Sequence, residues 1–276
     1  MTLRDALLQG TKLLEEGSIA APRLTAEVLL CHALHKERSF LYAHDEQELR
    51  EVEWIHYGRY LHQRLNGKPV QYITGRQEFY GREFHVTPDV LIPRPETELV
   101  VETVLNVKRD ARRIVDVGCG SGAIAVTLRL ETQAQVWGTD ISGAALAVAA
   151  ENARRLGAPV EFIQADLLTG FADASMDVIA SNPPYVPLGD RAGLQREVRD
   201  HEPEAALFAG PTGFEIYQRL VGEAPRVLRH SGWLVMELGY NSRDRVTAML
   251  GAGWRDVQVV PDLAGIPRVL AARWEP

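Results

Sequence analysis

Arg113-Ile114-Val115-Asp116-Val117-Gly118-Cys119-Gly120-Ser121-Gly122 is the stretch of this 276-residue chain that decides its fold. Its first five residues predict a short buried strand, and the residues from Ala123 to Arg129 predict a helix. Between them, glycines allow positive φ angles and let a ligand approach the backbone closely. The first turn of the helix adds unpaired N–H groups. The stretch therefore predicts a strand, a ligand-binding loop and a helix in succession.

Strands and helices alternate from this stretch to the C-terminus. The pattern predicts strands near 113–117, 135–139, 160–164, 177–181, 232–238, 254–260 and 268–273, with helices near 122–130, 142–156, 212–229 and 241–250. Such alternation is typical of a mostly parallel, doubly wound sheet, so the fold class is α/β with a seven-stranded sheet. Ligands of these sheets bind at the carboxyl ends of the strands.

The part of the chain before this sheet has a different pattern. Residues 2 to 66 show apolar positions at helical spacing and predict a small α-helical bundle. Asn66-Gly67-Lys68-Pro69 is a strong turn signal, and the alternation from Val70 to Val90 predicts a β-hairpin or linker strand. We therefore predict three parts, a helical domain over 1–66, a hairpin linker over 67–95 and the sheet domain over 96–276.

Two further acids follow predicted strands. Asp140 stands eighteen residues after Gly122, where an acid is placed to bind ribose hydroxyls, although it could instead cap the next helix, a role also open to Ser142. Asp166 follows the strand near 160–164 and is either a ligand-facing acid or a surface turn residue. With Ala123, the glycines also fit a dinucleotide pattern, so the loop alone does not separate NAD from S-adenosylmethionine.

Asn182-Pro183-Pro184-Tyr185 directly follows the strand near 177–181. Proline has no backbone donor and biases the residue before it towards an extended conformation. The Asn182 side-chain oxygen and the Pro183 carbonyl are thereby left as acceptors beside an aromatic ring, an arrangement that favours binding of a planar N–H₂ group. The alternative is a strand that simply ends in a proline-rich turn. The weakly patterned segment from Pro187 to Thr212 predicts a long loop that acts as a lid or binds substrate.

Composition narrows the class of protein. The chain is 46% hydrophobic and 24% charged, as is ordinary for a soluble globular protein. It has neither a long apolar run nor a signal-like segment, so we expect a cytoplasmic protein without a membrane partner. Cys31 and Cys119 are far apart and predict neither a disulfide framework nor a metal site. The net charge of −7 argues against stable nucleic-acid binding.

Several segments together resemble a known family. Asp116 and the glycines give D-x-G-x-G-x-G, which resembles the first motif of class I S-adenosylmethionine-dependent methyltransferases, whereas no Tyr-x-x-x-Lys pair and no Walker-type G-K-[ST] is found. Three further segments look like interdomain segments of the HemK/PrmC family. They are Gly67-Lys68-Pro69-Val70-Gln71-Tyr72-Ile73-Thr74-Gly75, Phe79-Tyr80-Gly81 and Ile92-Pro93-Arg94-Pro95-Glu96-Thr97-Glu98. Over essentially its full length the chain resembles these release-factor glutamine N5-methyltransferases.

The resemblance implies an activity and a set of site residues. It implies a Rossmann-like methyltransferase sheet, S-adenosyl-L-methionine as methyl donor with S-adenosyl-L-homocysteine as product, no metal, and peptide chain release factors as partners of a monomeric enzyme whose helical domain docks them. The implied cofactor-binding residues are Asp116, Gly118, Cys119, Gly120, Ser121, Gly122, Asp140, Ile141, Asp166, Leu167 and Asn182, and the implied catalytic residues, which bind and orient the glutamine, are Asn182, Pro183, Pro184 and Tyr185.

Two positions depart from the family pattern, and other substrates stay open. Leu167 stands where several relatives carry an aromatic residue, and Cys119 stands where threonine is familiar. The Asn-Pro-Pro-Tyr motif is shared with enzymes that methylate DNA or RNA bases and with a sister enzyme that methylates a ribosomal-protein glutamine. Pro-Arg-Pro-Glu-Thr-Glu at 93–98 favours the release-factor enzyme over that sister. A nucleotide-binding protein without catalysis is the remaining alternative.

Overall fold

The computed structural model describes all 276 residues, Met1–Pro276. The helices are α1 Leu3–Glu16, α2 Pro22–Leu34, α3 Arg38–Ala43, α4 Glu51–Leu65, α5 Val70–Thr74, α6 Glu98–Lys108, α7 Ala123–Glu131, α8 Gly143–Leu156, α9 Arg196–His201, α10 Glu204–Leu207, α11 Glu215–Val227 and α12 Arg243–Thr247. The strands are β1 Arg76–Phe79, β2 Arg82–His85, β3 Arg113–Val117, β4 Gln135–Asp140, β5 Val160–Gln164, β6 Met176–Ser181, β7 Val186–Pro187, β8 Phe208–Gly210, β9 Leu228–Glu237, β10 Trp254–Pro261 and β11 Pro267–Trp274.

The chain forms two compact units. The first comprises Met1–Gly75 together with Gln195–His201, and the second comprises Arg76–Leu194 together with Glu202–Pro276. The second unit is therefore interrupted by the segment that contains α9. None of the helices has the length and apolar character needed to cross a membrane.

The first unit is a small helical bundle. The side chains of Leu14, Leu29, Leu30 and Tyr57, contributed by α1, α2 and α4, are fully buried in its core. The start of α1 is fixed by a capping box, in which the Asp5 amide donates to the Thr2 hydroxyl at 3.1 Å and the Thr2 amide donates to the Asp5 carboxylate at 3.3 Å. The helical bundle predicted from the apolar spacing is present.

Two short helices within Met1–Gly75 were not predicted. α5 occupies the start of the stretch in which the alternation predicted a hairpin or linker strand, so that part of the prediction was wrong. Pro69 stands immediately before α5, and Gly75 ends it in a left-handed conformation with a φ of 74°. Because α3 and α5 have only six and five residues, neither is long enough to show a helical period.

The second unit begins with the antiparallel hairpin β1–β2. Phe79 and Phe84 are fully buried, and their rings meet edge to face with centroids 6.0 Å apart. These rings join the apolar core that α6 and α7 form on one face of the main sheet. The hairpin predicted between Val70 and Val90 is therefore present, in the second half of that range.

The main sheet has seven strands in the order β10-β11-β9-β6-β3-β4-β5. β11 pairs antiparallel with both of its neighbours, and the pairs among β9, β6, β3, β4 and β5 are parallel. Helices α6, α7 and α8 cover one face, while α11 and α12 cover the other. The prediction of a doubly wound α/β sheet is confirmed, and the seven predicted strands lie within a few residues of the observed ones.

The segment from Pro187 to Thr212 contains more regular structure than predicted. It holds a 3₁₀ turn over Leu188–Gly193, then α9, α10 and β8, which pairs with β7 just after the Asn-Pro-Pro-Tyr motif. Each of these elements has six residues or fewer, so periodicity in the sequence does not reveal them. The prediction of a patternless loop was wrong in this respect.

Asn152 on α8 links three elements of the second unit. Its side-chain amide donates to the His85 carbonyl at 2.9 Å and to the Ser121 carbonyl at 3.0 Å, and its oxygen accepts from the His85 amide at 2.7 Å. The residue is fully buried. The side chain therefore ties the glycine loop and the end of β2 to the same helix.

We predict that Asn152→Ala lowers the free energy of unfolding by about 2–4 kcal/mol, because it removes three hydrogen bonds and leaves buried partners unsatisfied. Chemical denaturation followed by circular dichroism measures the change. Asn106→Ala is the matched control, since Asn106 lies exposed on α6. Equal stability changes in the two variants would contradict the linking role of Asn152.

Candidate active site

The candidate site lies at the carboxyl edge of the parallel strands in the second unit. Strand order reverses between β3 and β6, whose ends Val117 and Ser181 are directly paired. Ser181 also pairs with Met236 of β9, and its hydroxyl donates to the Val117 carbonyl at 2.7 Å. The register therefore brings the end of the glycine-loop strand, Asn182 and Glu237 to the same edge, at the point where doubly wound sheets bind ligands.

The glycine loop is fixed by hydrogen bonds to β4, while two of its glycines face open space. The amides of Gly118 and Cys119 both donate to the Thr139 carbonyl at 2.8 Å. Gly118 and Gly120 have φ angles of 72° and 51°, and a Cβ built on either would meet no atom within 4 Å. Gly122 differs, since a Cβ there would lie 3.1 Å from the Cβ of Ala149 on α8. The first two glycines thus leave space for a ligand, and the third allows close helix packing.

Asp116 carries a buried and incompletely paired carboxylate. One oxygen accepts from the Ala125 amide at 3.0 Å, and the other is buried without a hydrogen-bond partner. Burial raises the pKa of Asp116 to about 7, with the Ala125 amide opposing the shift and the charge of Asp140 adding to it. A buried acceptor without a partner fits a site that is completed by the donor groups of a ligand.

Asp140 fixes the shape of the loop. Its Oδ2 accepts from the Gly120 amide and its Oδ1 from the Ser142 amide, both at 2.9 Å. Ser142 caps α8 by accepting from the Ala145 amide at 3.2 Å, so the capping role open to either residue falls to Ser142. Each Asp140 oxygen keeps a second lone pair for a further donor. Its contact with ribose hydroxyls stays a prediction.

The remaining predicted cofactor residues are partly exposed. Asp166 pairs with Arg219 of α11 at 2.8 Å, and both side chains are about half exposed. Leu167 has a left-handed φ of 50°, and its carbonyl accepts from the Thr139 hydroxyl at 3.2 Å. Ile141 lies at the surface and is 62% exposed. Their contacts with a cofactor stay predictions.

The Asn-Pro-Pro-Tyr motif is joined to two residues that sequence reasoning missed as site residues. The Asn182 side-chain amide donates to the Thr97 hydroxyl at 3.1 Å, and that hydroxyl donates to Glu237 Oε2 at 2.6 Å. The Tyr185 hydroxyl lies 3.5 Å from Glu237 Oε1. The sequence did contain a signal for Glu237, because this acid stands at the carboxyl end of an apolar strand. Asp116 and Asp140 have similar positions near the ends of their own strands.

Glu237 is a buried acid, only 2% exposed. Burial raises its pKa to about 7, while the Thr97 hydroxyl and the charge of Arg268 act in the opposite direction. Arg268 is itself paired with Asp262 at 2.9 Å. Burial likewise raises the pKa of the Tyr185 hydroxyl, and the nearby Glu237 charge adds to the rise. Tyr185 therefore remains a neutral hydrogen-bond donor.

The ring of Tyr185 is held in a narrow slot. A Cβ built on Gly239 would lie 2.8 Å from Tyr185 Cδ2, so any side chain at that position displaces the ring. Gly239 is fixed by Tyr217, whose hydroxyl accepts from the Gly239 amide at 3.0 Å and donates to the Glu237 carbonyl at 2.9 Å. The backbone that carries Glu237 thus also positions the wall behind Tyr185.

Comparison with known families matches both parts of the chain. The description "PrmC N-terminal domain" matches residues 5–75, and "Methyltransferase small domain" matches residues 95–195. Among solved structures, a methyltransferase from Pyrococcus furiosus has a TM-score of 0.54 at 16% identity, covering 78% of this chain and 98% of that one. At this identity the likeness concerns the fold alone.

Full-length relatives are much more similar in sequence. The release factor glutamine methyltransferase of Koribacter versatilis is 45% identical, covering 99% of both chains. That of Nitratidesulfovibrio vulgaris is 42% identical over 99% of this chain and 95% of the relative, and that of Bacillus anthracis is 36% identical over the whole of both. The chain therefore belongs to the release factor glutamine methyltransferase family of S-adenosylmethionine-dependent enzymes.

Proposed function

We propose that this protein transfers a methyl group from S-adenosyl-L-methionine to the N5 side-chain amide of the glutamine in the Gly-Gly-Gln motif of peptide chain release factors. The observation that carries the proposal is the fixed carboxamide of Asn182, whose nitrogen is bound to Thr97 while its oxygen is left for another donor. Asn182 stands two residues before Pro184 and three before Tyr185, in the motif that we propose binds a planar N–H₂ group. The full-length relatives bear the corresponding name.

The residues at the sheet edge fit the methyl donor. S-Adenosyl-L-methionine supplies an electrophilic methyl group on a positively charged sulfur, and S-adenosyl-L-homocysteine is the product. The open glycines of the loop and the unpartnered Asp116 oxygen are the features that fit such a ligand. We propose that the binding residues are Asp116, Gly118, Cys119, Gly120, Ser121, Gly122, Asp140, Ile141, Asp166, Leu167 and Asn182, with no metal.

The catalytic task of the chain is to orient the substrate nitrogen. An amide nitrogen is a poor nucleophile because its lone pair is delocalised into the carbonyl. The Asn182 oxygen and the Pro183 carbonyl accept its two hydrogens and so turn the nitrogen towards the methyl group. The same bonds stabilise positive charge that grows on nitrogen as the N–C bond forms and the methyl–sulfur bond breaks, and one of the hydrogens then leaves as a proton through its acceptor to bulk water. Pro184 and Tyr185 pack against the amide and exclude water.

The protein substrate is the other part of the proposal. We infer that the helical first unit docks the release factor, that the enzyme acts as a monomer in the cytoplasm and that it forms no stable nucleic-acid complex. The net charge of −7 supports this against base methylation, which shares the chemistry but needs clustered cations for phosphate contacts. Methylation of a ribosomal-protein glutamine is less well supported, because the full-length relatives are named for release factors.

Incubation with tritiated S-adenosylmethionine tests the substrate. We predict that label enters purified release factor and that it does not enter a release factor in which the motif glutamine is replaced by glutamate. Transfer RNA, ribosomal RNA and ribosomal proteins serve as competing acceptors. Label in nucleic acid or ribosomal protein alone would overturn the proposal.

Substitution of the substrate-binding asparagine tests the mechanism. We predict that Asn182→Ala lowers kcat by about 5- to 150-fold, because a hydrogen bond worth about 1–3 kcal/mol is lost from the transition state. Single-turnover methylation of release factor at saturating concentrations of both substrates measures this loss. Turnover equal to that of the unaltered enzyme would refute the role of Asn182.

Substitution behind the tyrosine tests the aromatic wall. We predict that Gly239→Ala lowers kcat about 10- to 100-fold, because its Cβ would collide with the Tyr185 ring and displace it from the substrate amide. Gly222→Ala is the matched control, since Gly222 is exposed on α11 and a Cβ there meets no atom within 4 Å. A Gly239→Ala enzyme as active as this control would show that the ring position does not matter.

A further inference from the structure

We propose that Thr97 and Glu237 are positioning residues, which hold the Asn182 carboxamide in the one orientation that presents its oxygen to the substrate glutamine. The inference rests on the proposed function and adds the residues that set the direction of the hydrogen bonds. Neither residue is part of the Asn-Pro-Pro-Tyr motif. Both side chains are buried, since Thr97 is 4% exposed and Glu237 is 2% exposed.

The direction follows from counting hydrogens. A threonine hydroxyl has one hydrogen to donate and two lone pairs to accept with. The Thr97 hydrogen is directed to Glu237 Oε2 at 2.6 Å, a short distance that is typical of a bond to a carboxylate. Towards Asn182, at 3.1 Å, Thr97 is then an acceptor, so Asn182 must present its N–H₂ group there. The Asn182 oxygen is consequently directed away from Thr97 and is available to the substrate.

The reverse orientation is unproductive. If Thr97 were free to donate to Asn182, the carboxamide could turn by half a rotation and bind Thr97 through its oxygen. Its N–H₂ group would then face the N–H₂ group of the substrate glutamine, and two donors cannot hydrogen-bond each other. A terminal carboxamide torsion has two nearly equivalent orientations, so the surrounding hydrogen bonds must select one of them. The Glu237 acceptor makes that selection.

The surroundings of Glu237 keep it an acceptor while it is ionised. Thr97 and Tyr185 donate towards its two oxygens, Tyr217 donates to its carbonyl, and the charges that act on it are those of Arg268 and Glu96. Burial holds its pKa at about 7, so its carboxyl takes up a proton just below neutral pH. Once protonated, it can donate to Thr97 and thereby permit the reverse orientation of Asn182.

A role in fold stability alone does not account for this arrangement. A buried carboxylate with few partners is costly to desolvate, and an apolar pair of similar volume would fill the space at least as well. The Thr97 hydroxyl connects Glu237 to Asn182, the residue that is proposed to bind the reacting amide. The polar chain therefore ends at the substrate.

Two substitutions at position 97 separate polarity from packing. We expect Thr97→Val, which keeps the shape and removes the hydroxyl, to lower kcat for release-factor methylation about 5- to 50-fold, and we expect Thr97→Ser to stay within about twofold of the unaltered enzyme. Calorimetry should show that the Kd for S-adenosylmethionine changes less than kcat in Thr97→Val, since Asn182 is one of eleven proposed binding residues for this ligand. In an Asn182→Ala background, Thr97→Val should cause no further loss, because it acts through Asn182.

A pH profile tests Glu237. In the unaltered enzyme, kcat should fall as the pH decreases through about 7, since protonation of Glu237 removes the fixed acceptor. In Glu237→Gln the carboxamide that faces Thr97 does not titrate, so this acid limb should become shallower, with Asp116 as the remaining acid whose pKa is about 7, while kcat at pH 8 stays within about threefold. An acid limb that persists unchanged in Glu237→Gln would overturn the proposal.

A measurement without turnover separates this inference from the proposed function. The Asn182 side-chain N–H₂ signals in a ¹⁵N NMR spectrum are assigned by their loss in Asn182→Ala. Their hydrogen exchange should be slow in the unaltered protein and in Thr97→Ser, and faster in Thr97→Val. If release factor is not methylated, the proposed function fails, yet these exchange rates still decide the orientation. Equal exchange in all three proteins, or additive losses of kcat with Asn182→Ala, would refute the role of Thr97.

Discussion

A single hydroxyl hydrogen, that of Thr97, sets the polarity of the candidate site. Because it is donated to Glu237, the hydroxyl can only accept from Asn182, and the carboxamide that we propose binds the substrate has one orientation. The geometry behind this bond is provided by the sheet. β6 carries Asn182 at its end and lies directly beside β9, which ends at Glu237, so the parallel pairing of these two strands brings both residues to one edge. The proposed chemistry depends on that register.

Two buried acids show that this edge is not optimised for stability. The pKa values of Asp116 and Glu237 are each raised to about 7, from ordinary values of 3.8 and 4.5, chiefly by burial. Between these ordinary pKa values and pH 7, the two acids bind more protons in the folded chain than in the unfolded one. The free energy of unfolding therefore falls as the pH rises through this range, and the loss is complete above pH 7. Such local cost is typical of sites shaped for ligands, where shifted acids are concentrated.

The sequence predicted the parts of the structure that depend on local pattern. Buried runs such as Ile114-Val115 located the strands and glycines located the loop, while the acceptor pair that the prolines indicate stays a prediction. Relations across the sheet could not be predicted in the same way. Glu237 is 55 residues from Asn182 in the chain, and its importance appears only when β9 is known to pair with β6. The same applies to the pair of Asp166 with Arg219, and helices of four to six residues carry no readable period.

Thr97 connects a segment outside the Asn-Pro-Pro-Tyr motif to the candidate site. Asn-Pro-Pro-Tyr alone fits any planar N–H₂ group, whether it belongs to an amide or to a base. Pro-Arg-Pro-Glu-Thr-Glu at 93–98 narrowed the resemblance to enzymes that act on release factors, and in the structure this segment supplies Thr97 to Asn182 and Arg94 to Glu202 at 2.6 Å. The family segment therefore takes part in orienting Asn182. Because that orientation suits an amide and a base amine alike, it is the sequence resemblance and not this bond that singles out release factors.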